Sequence, residues 1–174
     1  MRIGYFRRSA AALSLAIGLS ACVTGPLPPE VVAYSADRPI FVRADAPKFC
    51  APYARERSGI EIYGDAYTWW DQAEGRYPRE RRPMHGAVLM LHGYAGPKRA
   101  HLAVVTRVVS DREIRVDHAN WLADGNIYLN SPVIDVSPDN DWSEVRVWNN
   151  RDGHMGVNNY EVKGFIAPLR VASR

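Results

Sequence analysis

The sequence predicts an α+β domain in which short N-terminal helices pack against one face of an antiparallel sheet. Helical patterns occupy the first part of the domain, and from residue 86 onward strand-like runs alternate with turn residues. Helices followed by consecutive strands are typical of this class. Apolar content of 47% and charged content of 24% are ordinary for a globular protein, and 174 residues suffice for one domain with its own core.

The first 21 residues have the pattern of an export signal. Arg2, Arg7 and Arg8 form a positive head, and the apolar run that follows is too short for a permanent membrane helix. The run ends in Leu-Ser-Ala before Cys22, which resembles the lipobox of bacterial lipoproteins, where this cysteine receives the lipid. An ordinary secretory leader is the alternative interpretation.

Three segments are therefore predicted: a lipoprotein signal peptide at 1–21, a lipidated Cys22 with a Pro-rich tether at 22–40, and the folded domain at 41–174. Loss of the leader removes three arginines, so Lys+Arg falls from 22 to 19 against 19 Asp+Glu. A near-neutral mature chain argues against nucleic acid as a partner. We expect an exported, lipid-anchored protein, and Val23 after the lipidated cysteine favours the periplasmic face of the outer membrane in a Gram-negative source.

Cys50 is the residue whose chemistry most needs an explanation. If Cys22 carries lipid, Cys50 is the only thiol left in a protein sent to a compartment where cysteines usually pair. Pro47 and Gly59 bound a predicted helix over 48–58, which places Cys50 in the first turn, where free N–H groups and the helix dipole favour a thiolate. A Cys22–Cys50 disulfide and a buried, inert cysteine are the alternatives.

A second helix is predicted over 66–73, with Trp69 and Trp70 packing inward as core or as the wall of a groove. Runs rich in Val, Leu and Ile, separated by turn residues, then predict six strands. These strands span 86–91, 101–109, 113–120, 133–136, 145–148 and 162–166.

His101 and His118 lie on two consecutive predicted strands, so the turn between the strands decides how close they come. With a turn at residues 110–111, His101 faces Asn120 and is a diagonal neighbour of His118, close enough for the imidazoles to interact. With a turn at 111–112, His118 stays on the same face but moves away from His101. The turn residues leave both registers open.

Three segments together resemble the CHAP domain, the cysteine- and histidine-dependent amidohydrolases and peptidases of the papain-like clan. They are Phe-Cys-Ala-Pro-Tyr-Ala-Arg at 49–55, His-Leu-Ala-Val-Val at 101–105 and Val-Asp-His-Ala-Asn-Trp at 116–121. The resemblance covers roughly residues 45–137. It implies a papain-like fold, in which N-terminal helices carrying the nucleophile pack on an antiparallel sheet carrying the histidine.

The resemblance also implies a role for each motif residue. Cys50 would attack the amide carbonyl and form a thioester, while His101 would take the thiol proton and later protonate the leaving amine. His118 is the first choice for the residue that orients His101, because related cell-wall hydrolases use a Cys-His-His set, and Asn120 is the alternative. Relatives commonly have an acid at position 118 and glycine at position 100, so His118 and Ala100 depart from the pattern.

Aromatic side chains are the predicted substrate contacts. They are Tyr53, Trp69, Trp70 and Trp121. The hydroxyl of Tyr53 is also a candidate donor to the oxyanion, together with the backbone N–H of Cys50, although packing alone would equally explain this tyrosine. We predict no metal and no other cofactor, because His85 and His92 lack neighbouring acids.

The sequence thus predicts a hydrolase of amide bonds in peptidoglycan, either an endopeptidase or an N-acetylmuramoyl-L-alanine amidase. Its partners would be peptidoglycan and the membrane that holds the lipid anchor, and any protein activator is unidentified. The rival hypothesis is a non-catalytic cell-wall-binding or scaffold lipoprotein, which would keep the fold and use a tryptophan-lined groove only to bind.

Overall fold

The computed structural model describes residues 38–93 and 96–169. The predicted signal peptide, the lipidation site Cys22 and all but the end of the predicted tether lie outside the described residues. Within these two ranges, no helix is long and apolar enough to cross a bilayer.

Two short α-helices precede the main strands. The first, α1, spans Cys50–Ser58 and ends at Gly59, whose φ of 73° is left-handed and whose N–H donates to the Arg55 carbonyl. A 3-10 turn at Ala66–Thr68 leads directly into α2 at Trp69–Ala73. The helices predicted at 48–58 and 66–73 are therefore confirmed, with α1 beginning two residues later than expected.

The described residues also contain nine strands, all paired in antiparallel fashion. They are β1 (Ile40–Val42), β2 (Arg79–Glu80), β3 (Val88–His92), β4 (Ala100–Ser110), β5 (Glu113–Ala119), β6 (Ile127–Asp135), β7 (Glu144–Asn149), β8 (His154–Met155) and β9 (Tyr160–Ile166). All six predicted strands are present, as β3 to β7 and β9. The short strands β1, β2 and β8 were not predicted.

Six of these strands close into a barrel. The order β6-β5-β4-β3-β9-β7 is completed by a further pairing of β6 with β7, in which Val133 lies opposite Val147. The predicted papain-like α+β fold, with helices covering an antiparallel sheet, is therefore wrong. The described chain is mostly β, with a closed antiparallel barrel and only two short α-helices. The barrel also needs the pairing of β3 with β9, which joins residues as distant in sequence as Val88 and Ile166 and leaves no local pattern.

Apolar side chains from all six barrel strands form the main core. They are Leu89, Leu91, Ala103, Val105, Ile114, Val116, Val133, Val145, Val147, Val162 and Phe165, joined by Ala87 and Trp142. A second apolar layer lies between the helices and the outer face of β3 and β4, where Ala54 of α1 and Trp69 of α2 pack with Met90 and Leu102. Strands buried on both faces have continuous apolar sequences, as β3 and β4 do. This second layer holds the start of α1 against β4.

Gly164 on β9 packs closely against the ring of Trp70. A Cβ atom at Gly164 would lie 2.4 Å from Cη2 of Trp70 and 2.8 Å from the Glu80 carbonyl oxygen. We expect Gly164→Ala to lower the free energy of unfolding by about 2–4 kcal/mol, because overpacking adds to the cost of its φ of 148°. Gly153→Ala is the control in a thermal-unfolding measurement, since Gly153 has a φ of 70° and no atom within 4 Å. Equal losses in both variants would contradict the role of Trp70.

Candidate active site

His101 and His118 form a buried, hydrogen-bonded pair on the inner face of the barrel. Nε2 of His101 lies 3.0 Å from Nδ1 of His118, and the two residues are 3% and 1% exposed. Side chains alternate along a strand, so His101 shares the inner face of β4 with Ala103, and His118 shares that of β5 with Val116. The pair therefore adds a polar layer to the apolar interior.

The register of the β4–β5 hairpin explains how the two histidines meet. Ser110 pairs with Glu113, so the turn residues are 111 and 112, which is the second of the two predicted turns. Two irregularities in β4 then shift the pairing by two residues, and Val104 lies opposite Asp117. This is the register that the first turn would have given near the histidines. The contact between the two imidazoles, which was expected for one of the two registers, is present.

Ser131 on β6 extends the pair across a third strand. Nε2 of His118 lies 3.2 Å from Oγ of Ser131, which is fully buried. The pairing of Val116 with Ser131 brings this hydroxyl beside β5. Ser131 was not predicted, because a serine between an asparagine and a proline has no distinctive pattern and only the β5–β6 pairing places it near a histidine.

Aromatic rings surround the histidine pair. The Trp121 ring centroid lies 4.9 Å from that of His101 and 5.7 Å from that of His118, and Tyr128 lies 5.6 Å from His118. Burial lowers the pKa of His101 to about 3. Burial, and to a lesser degree the charge of His101, lowers the pKa of His118 well below its ordinary value. Both imidazoles are therefore neutral at neutral pH.

Mild acid is expected to destabilise the domain through these two residues. Between pH 6.5 and 3 a histidine of the unfolded chain binds a proton that folded His101 does not, so the free energy of unfolding falls as the pH falls through this window. We expect a loss of about 2 kcal/mol for each histidine between pH 7.5 and pH 5.

Urea unfolding at the two pH values measures this loss. A double variant with His101→Gln and His118→Gln should lose most of the pH dependence, whereas His154→Gln, at an exposed position, should keep it. A wild-type protein equally stable at both pH values would contradict the burial of two neutral imidazoles.

Cys50, the first residue of α1, has a free thiol that is half-buried. Burial raises the pKa of this thiol, and hydrogen bonds from the backbone of Leu102, Ala51 and Cys50 itself oppose the rise. The hydrogen bond with the backbone of Leu102 places the sulfur beside β4. Leu102 is the residue that follows His101 in the sequence. The position at the start of a helix predicted a lowered pKa, but desolvation outweighs the backbone contribution. The resting state is therefore a thiol near a neutral imidazole.

A groove of about 540 Å³ has both Cys50 and His101 in its wall. The other wall residues are Phe49, Ala51, Pro52, Arg55, Gly64, Asp65, Ala66, Tyr67, Lys98, Arg99, Ala100 and Asn120. Three of these described wall residues are cationic and only Asp65 is acidic, so the groove suits a ligand that carries negative charge. The groove therefore contains the thiol and the imidazole together with an excess of positive charge in its wall.

Of the two candidates for orienting His101, His118 is the one in contact with its Nε2. Asn120 lies in the groove wall, with a φ of 60° and its Oδ1 accepting a 2.8 Å hydrogen bond from the N–H of Gly125. Its side-chain oxygen thus stabilises its own loop. Since Nε2 of His101 is bound, Nδ1 is the ring nitrogen left to act on a thiol.

The predicted aromatic contacts are not in the wall of the groove that contains Cys50. Trp69 is completely buried beneath the helices, and Trp70 packs on that same layer. Tyr53 is half-buried, and burial, with the nearby charge of Asp117, raises its pKa to about 12. None of these three belongs to the groove wall. Trp121 contacts His101 and lines a second groove of about 190 Å³.

An ion pair that was not predicted from the sequence connects α1 to β5, the strand of His118. Nη2 of Arg57 lies 2.9 Å from Oδ2 of Asp117, and Oδ1 of Asp117 accepts from the N–H of Asn130. Asp117 directly precedes His118, so this contact links the helix of Cys50 to the strand of the histidine pair. Among the described side chains, no group of three or more potential metal ligands occurs.

Comparison with known proteins adds one finding to this geometry. The CHAP domain family model matches residues 43–120, a segment that contains α1, β3, β4 and β5 and therefore Cys50, His101, His118 and Asn120. No curated protein and no solved structure matches the chain. The family match agrees with the resemblance in the sequence, and it indicates a hydrolase with a role in peptidoglycan metabolism.

Proposed function

Because the CHAP match at residues 43–120 includes both Cys50 and His101, we propose that the protein cleaves amide bonds of peptidoglycan with Cys50 as nucleophile and His101 as general base. The observation that carries the proposal is that this thiol and this imidazole line one groove, while Nε2 of His101 is held by His118. A nucleophile, a base and a residue that orients the base are the three parts such a reaction needs.

The reaction starts from the neutral pair. The Cys50 sulfur attacks the carbonyl carbon of the amide, and its proton passes to Nδ1 of His101 as the S–C bond forms. The imidazolium then protonates the amine nitrogen, the C–N bond breaks and a thioester remains. Water attacks the thioester, with His101 again taking a proton, and the acid product leaves as the thiol is restored.

The position of Cys50 at the start of α1 also supports stabilisation of the oxyanion. Its backbone N–H is among the first of the helix, where no carbonyl four residues earlier belongs to the helix. A developing negative charge on the carbonyl oxygen would accept from this N–H. Tyr53 is absent from the groove wall, so we assign it no contact with the oxyanion.

The positive groove wall supports an anionic polymer as the substrate. Arg55, Lys98 and Arg99 face the groove that contains Cys50, and the peptides of peptidoglycan carry free carboxylates. Both the bonds between peptide residues and the bond between muramic acid and L-alanine lie close to such carboxylates. The proposal therefore includes an endopeptidase and an amidase, which the experiment below distinguishes.

The proposed location follows from the leader. A lipid on Cys22 would hold the domain at the periplasmic face of the outer membrane, within reach of the polymer. Fractionation of cells tests this: Cys22→Ser should move the protein from the membrane fraction to the soluble fraction. An unchanged distribution would exclude the lipid anchor.

Digestion of purified peptidoglycan, followed by mass spectrometry of the soluble fragments, tests the proposed activity. New amino termini within the peptides would identify an endopeptidase, and free L-alanine amino termini would identify an amidase. If the wild-type protein sediments with the polymer and releases no fragment, the activity is excluded and the rival wall-binding function is supported.

A further inference from the structure

Hydrogen bonds join His101 to His118 and His118 to Ser131 in one line across the barrel. The protons of this line can be arranged in two ways, which differ in the ring nitrogen that carries the proton on each imidazole. The two steps of the line are the 3.0 Å contact between the imidazoles and the 3.2 Å contact between Nε2 of His118 and the Ser131 hydroxyl. Each neutral imidazole has one N–H donor and one acceptor nitrogen. The direction at Ser131 therefore sets the direction along the whole line.

Only one direction leaves His101 able to act as a base. If Nε2–H of His118 donates to Ser131, Nδ1 of His118 accepts from Nε2–H of His101, and Nδ1 of His101 keeps its lone pair. If the Ser131 hydroxyl donates instead, Nδ1–H of His118 donates to Nε2 of His101. His101 then carries its proton on Nδ1 and has no lone pair to receive the thiol proton.

We propose that Ser131 is a positioning residue whose Oγ accepts the Nε2 proton of His118 and so fixes both imidazoles as the tautomers that leave Nδ1 of His101 unprotonated. The choice of this direction rests on the proposed function, in which His101 is the base, whereas the tautomers can be measured without any activity. When His101 takes the thiol proton, the positive charge forms on a ring whose Nε2–H already donates to His118, and His118 in turn donates to Ser131.

The surroundings of Ser131 explain why a hydroxyl lies here. Ser131 is fully buried, it pairs with Val116, and the next side chain on the same face of β6 is Val133 of the apolar core. A hydroxyl in such a place is costly unless it is hydrogen-bonded, and among the described residues its partner is His118. The contact with the imidazole is therefore what offsets the burial of this polar group.

Ser137 provides a matched comparison elsewhere in the molecule. It is also buried, at 1% exposure, but its hydroxyl donates to Oδ1 of Asp135 and accepts from the N–H of Asp141. Its hydrogen bonds belong to a turn after β6 and involve neither histidine. Loss of the Ser137 hydroxyl should therefore affect stability without affecting the tautomers.

Nitrogen-15 NMR of the full-length protein tests the proposal directly, because protonated and unprotonated imidazole nitrogens have different chemical shifts. In the wild type we expect His101 and His118 both to carry their proton on Nε2. Ser131→Ala should give a mixture of tautomers, Ser131→Thr should restore the wild-type state, and Ser137→Ala should leave it unchanged.

Kinetics on soluble peptidoglycan fragments give the second measurement. We expect Ser131→Ala to lower kcat by about 10- to 100-fold with little change in KM, because the hydrogen bond matters when charge forms on His101. Ser131→Thr should recover most of this loss, and Ser137→Ala should show none.

The proposal is overturned if His118 of the wild-type protein carries its proton on Nδ1, or if Ser131→Ala keeps both tautomers and its kcat. Should Ser131→Ala fail to fold, the wild-type spectrum alone decides. Expected tautomers in a wild-type protein that releases no peptidoglycan fragment would exclude the proposed function and leave the role of Ser131 in fixing the imidazoles intact.

Discussion

Cys50→Ala is expected to abolish the release of peptidoglycan fragments while the fold is retained. A methyl group cannot form the thioester, and removal of a nucleophile lowers kcat by a factor on the order of 10⁴ or more. Cys50 is only half-buried, at the first position of α1, so the loss of one sulfur atom leaves a small cavity that opens to the groove. Mass spectrometry measures fragment release, and circular dichroism and thermal unfolding measure the fold.

Two further variants sharpen this test. Cys50→Ser keeps the shape of the side chain but replaces a thiol by a much less acidic hydroxyl, so we expect it to be almost as inactive as Cys50→Ala. Ser58→Ala lies at the other end of the same helix, where Ser58 bonds only to nearby backbone, and it should retain full activity. Release of the same fragments by Cys50→Ala would show that another group attacks the amide.

The local elements of the fold could be predicted from the sequence, whereas their closure could not. The helices are marked by their flanking Pro and Gly residues, and the six barrel strands by runs of Val, Leu and Ile between turn residues. The pairing of β3 with β9 joins segments that are far apart in the sequence, such as Val88 and Ile166, so no turn between them marks the contact. The predicted layering was wrong for that reason.

The site residues also differ in how far the sequence predicts them: those in local motifs could be predicted, and contacts between distant residues could not. Cys50, His101 and His118 were predicted because they stand in short motifs that can be recognised one by one. Ser131 and the contact between Arg57 and Asp117 were missed, since each depends on residues that meet only after folding. The contact of the two histidines was predicted only as one of two registers, because irregularities in β4 have no signature in the sequence.

The pKa of Cys50 depends on burial, which cannot be predicted from the position of the residue in its helix. The start of a helix favours the thiolate, and backbone N–H groups do lower the pKa in this structure. Burial raises it by more, and burial is set by how α1 packs on β4, which no local sequence pattern gives. The same burial keeps His101 neutral before substrate binds, so one of its ring nitrogens has a lone pair, and it also makes that nitrogen a weaker base.

His101→Ala is expected to lower kcat about 10²- to 10⁴-fold with a smaller effect on KM, since the base acts in the transition state rather than in binding. The wild-type rate should stay flat from pH 8 down to the pH at which the fold is lost, because the pKa of His101 is about 3. In His101→Ala the remaining rate should instead rise with pH toward the raised pKa of the Cys50 thiol, since only the thiolate can then attack.

Alkylation of Cys50 by iodoacetamide gives the same comparison without substrate. Removal of His101 should slow the reaction at pH 7 and steepen its dependence on pH, whereas His154→Ala, at an exposed position far along the chain, should change neither. His118→Ala should fall between the two, because the base remains but nothing holds its Nε2. If His101→Ala reacted and turned over like the wild type, the proton would have to leave Cys50 by another group, and the groove contains no second imidazole among its described wall residues.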